Sequence, residues 1–238
     1  MASDKPNSDI LSLDETLKRF SSGSSRQRRS LIPSIETNAR QIADLGASCL
    51  SPYDMDGDDW SAGWILQCIN RHAPEALSEI LPSKSYSWLS AQSSVGIDYD
   101  DLQKYLIKES FEEADRITSS ILRKLAGPQS ETRGYVYFSE VEYMPNLDLI
   151  TLDRLWNVFS QGRFGFSVQA RLLSSLNGRY ELLWPRIGWK VEGVWTRYPS
   201  AFDWSISAPE GHMPLINQLR GVRLMDALLK HPALASRS

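Results

Sequence analysis

The amino-acid sequence predicts an all-α protein, with a small N-terminal helical bundle followed by a larger helical domain. Apolar residues recur three and four positions apart in successive segments of the 238-residue chain. That spacing places them on one face of an α-helix. Several segments start beside a proline, which suits a first helical turn because its missing N–H would be unpaired there. The flanks of Asn177–Gly178 do not alternate as strands do, so we expect this turn to join two helices.

The first thirty residues, 1–30, are expected to form a flexible tail. Eight of them are serine, and Ser21–Ser30 is a basic, serine-rich run. A segment of this composition buries too little apolar surface to offset the entropy lost on ordering. Five apolar residues within it are nevertheless spaced to line one short helix: Ile10, Leu11, Leu13, Leu17 and Phe20.

Residues 31–88 are expected to form the N-terminal bundle. Its first helix lies within 31–50, where Gly46 supplies an end. A second helix begins near Trp60, and a third follows Pro74. Short helices joined by short turns favour antiparallel packing. The bundle carries no recognisable chemistry of its own.

The acidic loop Asp54–Asp59 suggests a calcium site at first sight. An EF-hand loop needs its glycine at the sixth position, whereas Gly57 comes fourth from Asp54. We therefore expect Asp58 or Asp59 to cap the helix that follows, because an aspartate oxygen accepts unpaired backbone N–H groups there.

Residues 92–238 are expected to form the second domain, after a serine-rich boundary within 83–98. Ser110 and Glu113 have the spacing of a capping box, and Ser167 is placed to cap a later helix. The expected helices run from Tyr99 to Lys108, from Ser110 to about Ala126, from Asp148 to Gly162, from Ser167 towards Asn177 and from Pro214 to His231.

The connection at 129–148 is long for a compact domain, and long loops are often functional. Its middle, Tyr135–Tyr143, is rich in aromatic and apolar residues that a polar loop does not need. Two interpretations stay open: an apolar wall of a binding site, or a short buried strand or helix.

The most informative stretch is 184–204, which contains four of the chain's eight tryptophans. Aromatic residues this dense either fill a core or form a platform for a flat apolar ligand. Five cations lie in or just after it: Arg186, Lys190, Arg197, Arg220 and Arg223. The residues alone favour a tryptophan-rich core with cations reaching to solvent. The alternative is a flat ligand with an acidic edge.

Several classes of function are disfavoured by the sequence. We find no phosphate-binding glycine loop, no nucleophile elbow and no HExxH motif, which argues against an enzyme. The net charge of −3 argues against a nucleic-acid binder. Cys49 and Cys68 lack metal-ligand spacing and fit a reducing compartment. His212 can ligate a metal at a ligand's centre, but a turn histidine is expected to bond to the backbone.

Two further patterns concern membranes and targeting. The chain has no run of about 18 apolar residues, so no transmembrane helix is expected. The acidic start, with Asp4, Asp9 and Asp14, argues against a secretory signal or a transit peptide.

From about Val95 onward the chain resembles the Genomes Uncoupled Four family, which are tetrapyrrole-binding accessory proteins of magnesium chelatase. The segments that carry the resemblance are GIDYDDLQKYL, EADRIT, LAGP, YFSEVE, LDLITLDRLW, GRFGFSVQ, LWPRIGWK, VWTRYP, SAPEGHMPL and NQLRGVR. The N-terminal bundle is similar to the extra domain of cyanobacterial members. GRFGFSVQ together with the aromatic stretch is the most specific combination.

The resemblance implies an all-helical, cupped-hand porphyrin-binding domain without catalysis. It implies protoporphyrin IX and magnesium protoporphyrin IX as ligands, with no obligate cofactor, and stimulation of magnesium chelatase through its large porphyrin-binding subunit. It also implies a location in the cytoplasm of a cyanobacterium or in the chloroplast stroma, either free or associated with thylakoids. We expect the protein to be a monomer.

The family's site maps onto this chain through its motifs. The porphyrin-carboxylate arginines correspond to Arg220 and Arg223, on a helix that also carries Asn217 and Leu219. The remaining positions come from two loops: Phe138, Val141, Trp195, Tyr198 and Phe202. At Tyr198 some cyanobacterial members have tryptophan, so a smaller ring meets the ligand here.

Three other functions stay open at this point. A protein-interaction adaptor needs only a tryptophan core and an arginine face for an acidic partner. A bilin sensor is a variant of the tetrapyrrole-binding hypothesis, with a linear tetrapyrrole as the ligand. A single-stranded nucleic-acid binder would stack bases on the aromatic residues, but the acidic chain speaks against it.

Overall fold

The computed structural model describes residues 12–81, 87–215 and 222–237, and it confirms the mostly helical architecture. The N-terminal part has the following α-helices: α1 Leu13–Ser22, α2 Ser25–Thr37, α3 Ala39–Asp44, α4 Trp60–His72 and α5 Leu77–Ile80. It also has 3₁₀ helices at Gly46–Leu50 and Pro74–Ala76.

The rest of the described chain adds more helices and one small sheet. The α-helices are α6 Asp100–Ile107, α7 Phe111–Leu125, α8 Pro128–Arg133, α9 Asn146–Val158, α10 Phe166–Ser175, α11 Tyr180–Arg186, α12 Val222–Leu229 and α13 Pro232–Ala235. A 3₁₀ helix occupies Phe138–Tyr143, and strands β1 Lys190–Val191 and β2 Val194–Trp195 pair antiparallel. None of the helices in these described ranges has the length and apolar character to cross a bilayer.

Helix α4 lies at the centre of the N-terminal part and also contacts the second part of the chain. Its residues from Trp60 to Ile69 are all buried, because neighbouring helices surround it. The buried Gln67 side chain donates from Nε2 to the carbonyl oxygens of Leu106, at 3.0 Å, and Phe159, at 2.7 Å. One amide thus holds the ends of α6 and α9 against α4.

Glycine at position 63 permits the closest approach between α4 and α9. A Cβ atom built there would lie 2.9 Å from the carbonyl carbon of Val158 and nearer still to its oxygen. Real Cβ atoms essentially never come so close. The two helices therefore pack almost backbone to backbone at this point.

The acidic loop before α4 makes a second connection to α9. Asp59 caps α4, as expected, by accepting the Ser61 N–H at 3.0 Å. Arg154 of α9 is 9% exposed. Its guanidinium bonds to Asp58, at 3.2 Å, and to the Gly57 carbonyl oxygen, at 3.0 Å. These contacts run across the boundary expected near residue 90, and the division into 31–88 and 92–238 stays a prediction.

The flexible tail expected for 1–30 is wrong for its described residues, which include all of α1 and the first six residues of α2. Phe20 is fully buried and meets the Trp60 ring edge-on at a centroid distance of 5.7 Å. The prediction failed because two of the serines cap helices. Ser12 caps α1 by accepting the Glu15 N–H, and Ser24 caps α2 through a capping box with Gln27.

Two predicted caps in the second part are also wrong. No side-chain bond from Ser110 caps α7, and its backbone N–H donates to the Tyr105 carbonyl oxygen at 2.9 Å instead. Ser167 lies inside α10, whose first residue is Phe166. The buried Asp153 accepts the Ser167 N–H at 2.8 Å, so a side chain from another helix does the capping.

The last helix differs from the expected range. Pro214 and Leu215 are not helical, and the described part of this helix is Val222–Leu229. Distant side chains bind this backbone: Gln169 Nε2 donates to the Pro214 carbonyl oxygen at 2.9 Å. Asn177–Gly178 does join two helices, which confirms that prediction.

Replacing Gly63 with alanine is expected to destabilise the protein by about 1–3 kcal/mol, the usual cost of overpacking a tight core. The helix propensity of alanine would by itself act in the opposite direction. Urea unfolding followed by far-UV circular dichroism measures the effect. Asn70→Ala, in the same helix, is the control; a Gly63→Ala variant as stable as wild type would contradict the close packing.

Candidate functional site

The aromatic stretch 184–204 divides into a buried base and an exposed face. Trp184 and Trp189 are 7% and 1% exposed, whereas Trp195 and Tyr198 are 43% and 48% exposed. The core interpretation is therefore correct for the first two residues. The other two lie at the surface, where aromatic rings are available to a partner.

The base is a set of stacked rings. Trp184 and Trp189 stack at a centroid distance of 5.7 Å, nearly parallel, and Trp195 packs on Trp184 at 5.4 Å. The Trp189 indole N–H donates to the His212 carbonyl oxygen at 2.8 Å. This bond joins the segment after α11 to the turn at 211–214.

His212 bonds to the backbone, as expected for a turn histidine. Its Nδ1 lies 2.6 Å from the Ile187 carbonyl oxygen, which can only accept, so Nδ1 carries the proton. Burial lowers the pKa of His212, although the bond to Ile187 opposes this shift. The side chain is therefore neutral at neutral pH. The described part of the chain has no group of three or more His, Cys, Asp or Glu residues placed to hold a metal ion.

The exposed face rests on rings packed edge to face. Tyr198 lies 6.1 Å from Phe202 and 6.0 Å from Trp204, centroid to centroid. Phe202 packs in turn on His212 at 5.0 Å. Because Phe202 is only 6% exposed, it supports Tyr198 from below and does not itself form the surface.

Strands β1 and β2 form a hairpin beside this face. Lys190 pairs with Trp195 across the sheet, and the Lys190 ammonium lies 4.6 Å from the Trp195 ring centroid. Glu192 and Gly193 both have positive φ, of 51° and 81°, as a two-residue hairpin turn of the primed type requires. The sequence-based interpretation missed this turn, because glutamate is uncommon in left-handed backbone.

The 3₁₀ helix Phe138–Tyr143 forms a second apolar element. Phe138 is 47% exposed, whereas Val141 is 1% exposed and packs inward. The Arg223 guanidinium of α12 lies over the Phe138 ring, with its carbon 5.6 Å from the centroid. An apolar ring and a cation are thus presented together.

Helix α12 connects the two elements. Asp226, one turn after Arg223, accepts the Tyr180 hydroxyl at 3.0 Å. Tyr180 packs on Trp184 at 5.2 Å, so α12 is tied to the stacked base as well as to Phe138. Burial and the Asp226 carboxylate both raise the pKa of Tyr180, which keeps its hydroxyl a donor.

The residues expected at the site fall into three groups: exposed, buried and outside the described ranges. Phe138, Trp195, Tyr198 and Arg223 are exposed around α12 and the hairpin, whereas Val141 and Phe202 are buried beneath them. The remaining three lie outside the described residues: Asn217, Leu219 and Arg220.

Sequence reasoning missed Tyr180 and Asp226. A signal for Asp226 was available, because it continues the three-residue spacing of Asn217, Arg220 and Arg223. Tyr180 has no such pattern and becomes visible only once α11 and α12 are packed together.

Asp115 of α7 is a further missed residue. It is 1% exposed and accepts the Leu215 N–H at 2.6 Å, just before the residues outside the described range. Burial raises the pKa of Asp115 to about 7, and the nearby Glu112 adds to the shift, while the Leu215 N–H and Arg116 oppose it. Asp115 also acts on Tyr198, helping to raise the pKa of that phenol, which burial raises first.

Solved structures of similar fold come from a green alga and a plant. The chain matches the structure of GUN4 from Chlamydomonas reinhardtii with a TM-score of 0.58 and 36% identity, over 61% of this chain and 93% of that one. It matches the ligand-free structure of GUN4 from Arabidopsis thaliana with a TM-score of 0.54 and 34% identity, over 60% and 98% of the two chains. Both define a shared helical fold.

The family match covers residues 92–232, more than half of the chain. The chain therefore belongs to the GUN4-like family, the Genomes Uncoupled Four family that its motifs resemble.

Curated relatives extend the comparison. A Ycf53-like protein of Synechocystis sp. is 52% identical over 59% of this chain and 60% of its own length. A ycf53 protein of Pyropia yezoensis is 32% identical over 96% of this chain and 98% of its own length. A protein of Arabidopsis thaliana named as a chloroplastic tetrapyrrole-binding protein is 34% identical over 58% and 56%. The match to the Synechocystis relative thus spans about three-fifths of that protein.

Asp115 is expected to make stability fall with rising pH. A carboxyl group whose pKa is raised on folding binds protons more tightly in the folded state. Its contribution is therefore complete below its unfolded pKa of 3.8 and is lost as the pH rises towards 7. Each pKa unit corresponds to about 1.4 kcal/mol.

Asp115→Asn removes this titration while keeping an oxygen for the Leu215 N–H. Its free energy of unfolding should not show the decline of a few kcal/mol that wild type shows between about pH 4 and 7. Urea unfolding at a series of pH values measures the difference, with Asp44→Asn as an exposed control. Parallel profiles for wild type and Asp115→Asn would contradict the raised pKa.

Proposed function

We propose that this chain is a non-catalytic protein that binds the tetrapyrroles protoporphyrin IX and magnesium protoporphyrin IX. One observation carries the proposal: the Arg223 guanidinium is held over the exposed Phe138 ring, on the helix whose Asp226 is tied to the stacked tryptophans. Family membership and the name of the Arabidopsis thaliana relative support it.

The chemistry of a porphyrin fits these side chains. The macrocycle is flat and apolar, and its two propionates lie at one edge. Exposed aromatic rings such as Trp195 and Tyr198 can pack on its faces. A guanidinium such as Arg223 pairs with a carboxylate through charge-assisted bonds. Burying several hundred Å² of apolar surface at roughly 25 cal/mol per Å² supports micromolar affinity after the cost of association.

The buried members of the predicted set act differently in this proposal. Val141 lies beneath Phe138, and Phe202 lies beneath Tyr198. They are proposed to influence ligand binding by supporting these two residues and not by direct contact. Asn217, Leu219 and Arg220 are proposed as further contacts on the strength of the family motif alone.

The same proposal includes a place in chlorophyll biosynthesis. The chain would stimulate magnesium chelatase, as a monomer that docks on the large porphyrin-binding subunit and delivers substrate or withdraws product. It would work in the cytoplasm of a cyanobacterium or in the chloroplast stroma, with or without association to thylakoids. The sources of the relatives, which include a cyanobacterium and a chloroplast protein, support this setting.

Arg223→Ala is expected to raise the dissociation constant for protoporphyrin IX between about threefold and thirtyfold, because it removes one charge-assisted bond at a partly solvated edge. Arg220→Ala is expected to act in the same direction. Quenching of tryptophan fluorescence on titration with the porphyrin measures both variants.

Arg171→Ala is the matched control, since Arg171 makes an exposed ion pair with Glu210 at 2.8 Å. Saturable quenching that Arg223→Ala leaves unchanged would keep the ligand but remove Arg223 from the site. If wild type shows no saturable quenching at micromolar porphyrin, the adaptor function replaces this proposal. A bilin that binds far more tightly than the porphyrin would identify a bilin sensor.

Stimulation of the chelatase is tested separately. Adding the chain to a reconstituted cyanobacterial magnesium chelatase should raise the rate of magnesium insertion most at low porphyrin concentration, where delivery limits the reaction. The Arg223→Ala variant should need more porphyrin for the same stimulation. A rate independent of the added chain at every porphyrin concentration would contradict the regulatory part of the proposal.

A further inference from the structure

We propose that Arg133 is a positioning residue that holds Phe138, and through it Arg223, in the orientation that receives the ligand. The inference rests on the proposed function of the same surface. Arg133 ends α8, and no family motif quoted above includes it. Its partner Glu140 lies within YFSEVE, between the two residues expected to face the porphyrin.

Arg133 and Glu140 form an ion pair in which one guanidinium nitrogen reaches both carboxylate oxygens. One terminal nitrogen of Arg133 lies 2.8 Å and 2.7 Å from the two carboxylate oxygens of Glu140. The side chains are only 20% and 21% exposed, so water screens this pair less than a fully exposed one. Arg133 also donates to the Tyr135 carbonyl oxygen, at 2.9 Å and 3.2 Å. The guanidinium therefore connects three points of one loop.

Glu140 carries this restraint to the backbone beside Phe138. Glu140 Oε2 accepts the Tyr137 N–H at 2.7 Å, which closes the start of the 3₁₀ helix. Partial burial acts to raise the pKa of Glu140, but the bonds from Arg133 and Tyr137 outweigh it and lower that pKa. The carboxylate is thus ionised at neutral pH and remains an acceptor for both donors.

The same guanidinium also packs on two tyrosine rings of the loop. The Arg133 guanidinium carbon lies 4.7 Å from the Tyr135 ring centroid and 4.0 Å from the Tyr137 ring centroid. The two tyrosine rings meet edge to face at 5.3 Å. A planar guanidinium stacks on aromatic faces in a way that a lysine ammonium does not reproduce.

The contacts of Arg133 matter because the Phe138 side chain is only partly buried. It is 47% exposed, so burial fixes its position less firmly than it fixes the buried Val141 one turn later. Arg223 depends on Phe138 in turn, since its guanidinium lies over that ring. Loosening the contacts of Arg133 should therefore misplace both groups that the ligand is proposed to meet.

The test compares Arg133→Lys, Glu140→Gln and the double variant with wild type. Arg133→Lys keeps the charge but cannot stack and bridge as a guanidinium does, and Glu140→Gln removes the anion. Each single variant should raise the dissociation constant for protoporphyrin IX about threefold to tenfold. The double variant should be no weaker than the worse single variant, because both changes remove one shared set of contacts.

A second readout separates positioning from general stability. Hydrogen exchange followed by NMR should show the Tyr137 amide exchanging at least tenfold faster in Arg133→Lys, while the melting temperature stays within about 2 °C of wild type. Arg171→Lys with Glu210→Gln is the control pair, and it should change neither the exchange nor the affinity.

The outcomes are distinguishable. If wild type binds the porphyrin but Arg133→Lys binds equally well, the inference is overturned and the proposed function stands. The inference is also overturned if the Tyr137 amide exchanges at the wild-type rate, even when affinity falls. Absence of saturable binding by wild type itself overturns the proposed function and this inference with it.

Discussion

Two hydrogen bonds close the aromatic segment on itself, and the surface described above depends on them. Trp189 donates to the backbone of His212, and His212 donates back to the carbonyl oxygen of Ile187. Both bonds are buried, where a lost partner costs most. They give the exposed Trp195 and Tyr198 a rigid support, which matters because large exposed rings lose conformational entropy whenever a ligand orders them.

Helix α12 extends this support to the other side of the surface. Its Asp226 is held by Tyr180, which packs on the same tryptophans, while Arg223 reaches the Phe138 ring. A cation that is carried on a packed helix and held over a neighbouring ring is preorganised for an anionic group. The arrangement places one cation directly beside an apolar ring, which is what the proposed function requires.

The sequence predicted the helices well where apolar spacing was regular, as in α4 and α7, and it predicted Asp59 as a cap. It failed where one residue type serves two purposes: the serines before α1 and α2 have the composition of a tail but act as caps. At the proposed site, motif resemblance pointed to Phe138 and Arg223, and the structure places these two side chains next to each other. The resemblance could not separate the exposed Tyr198 from the buried Phe202, because burial is decided by packing between distant segments. The partners Arg133 and Tyr180 were invisible for the same reason.

The contact of Gly63 with Val158 has a consequence for how such proteins change over time. The family match begins at residue 92, so position 63 lies outside it, yet it faces the backbone of a family helix with no side chain in between. The N-terminal part therefore packs directly on the part that the family match covers, and it is not an independent appendage. Any mutation that adds a side chain at position 63 requires α4 and α9 to move apart, so the packing of this N-terminal helix limits which side chains position 63 can carry.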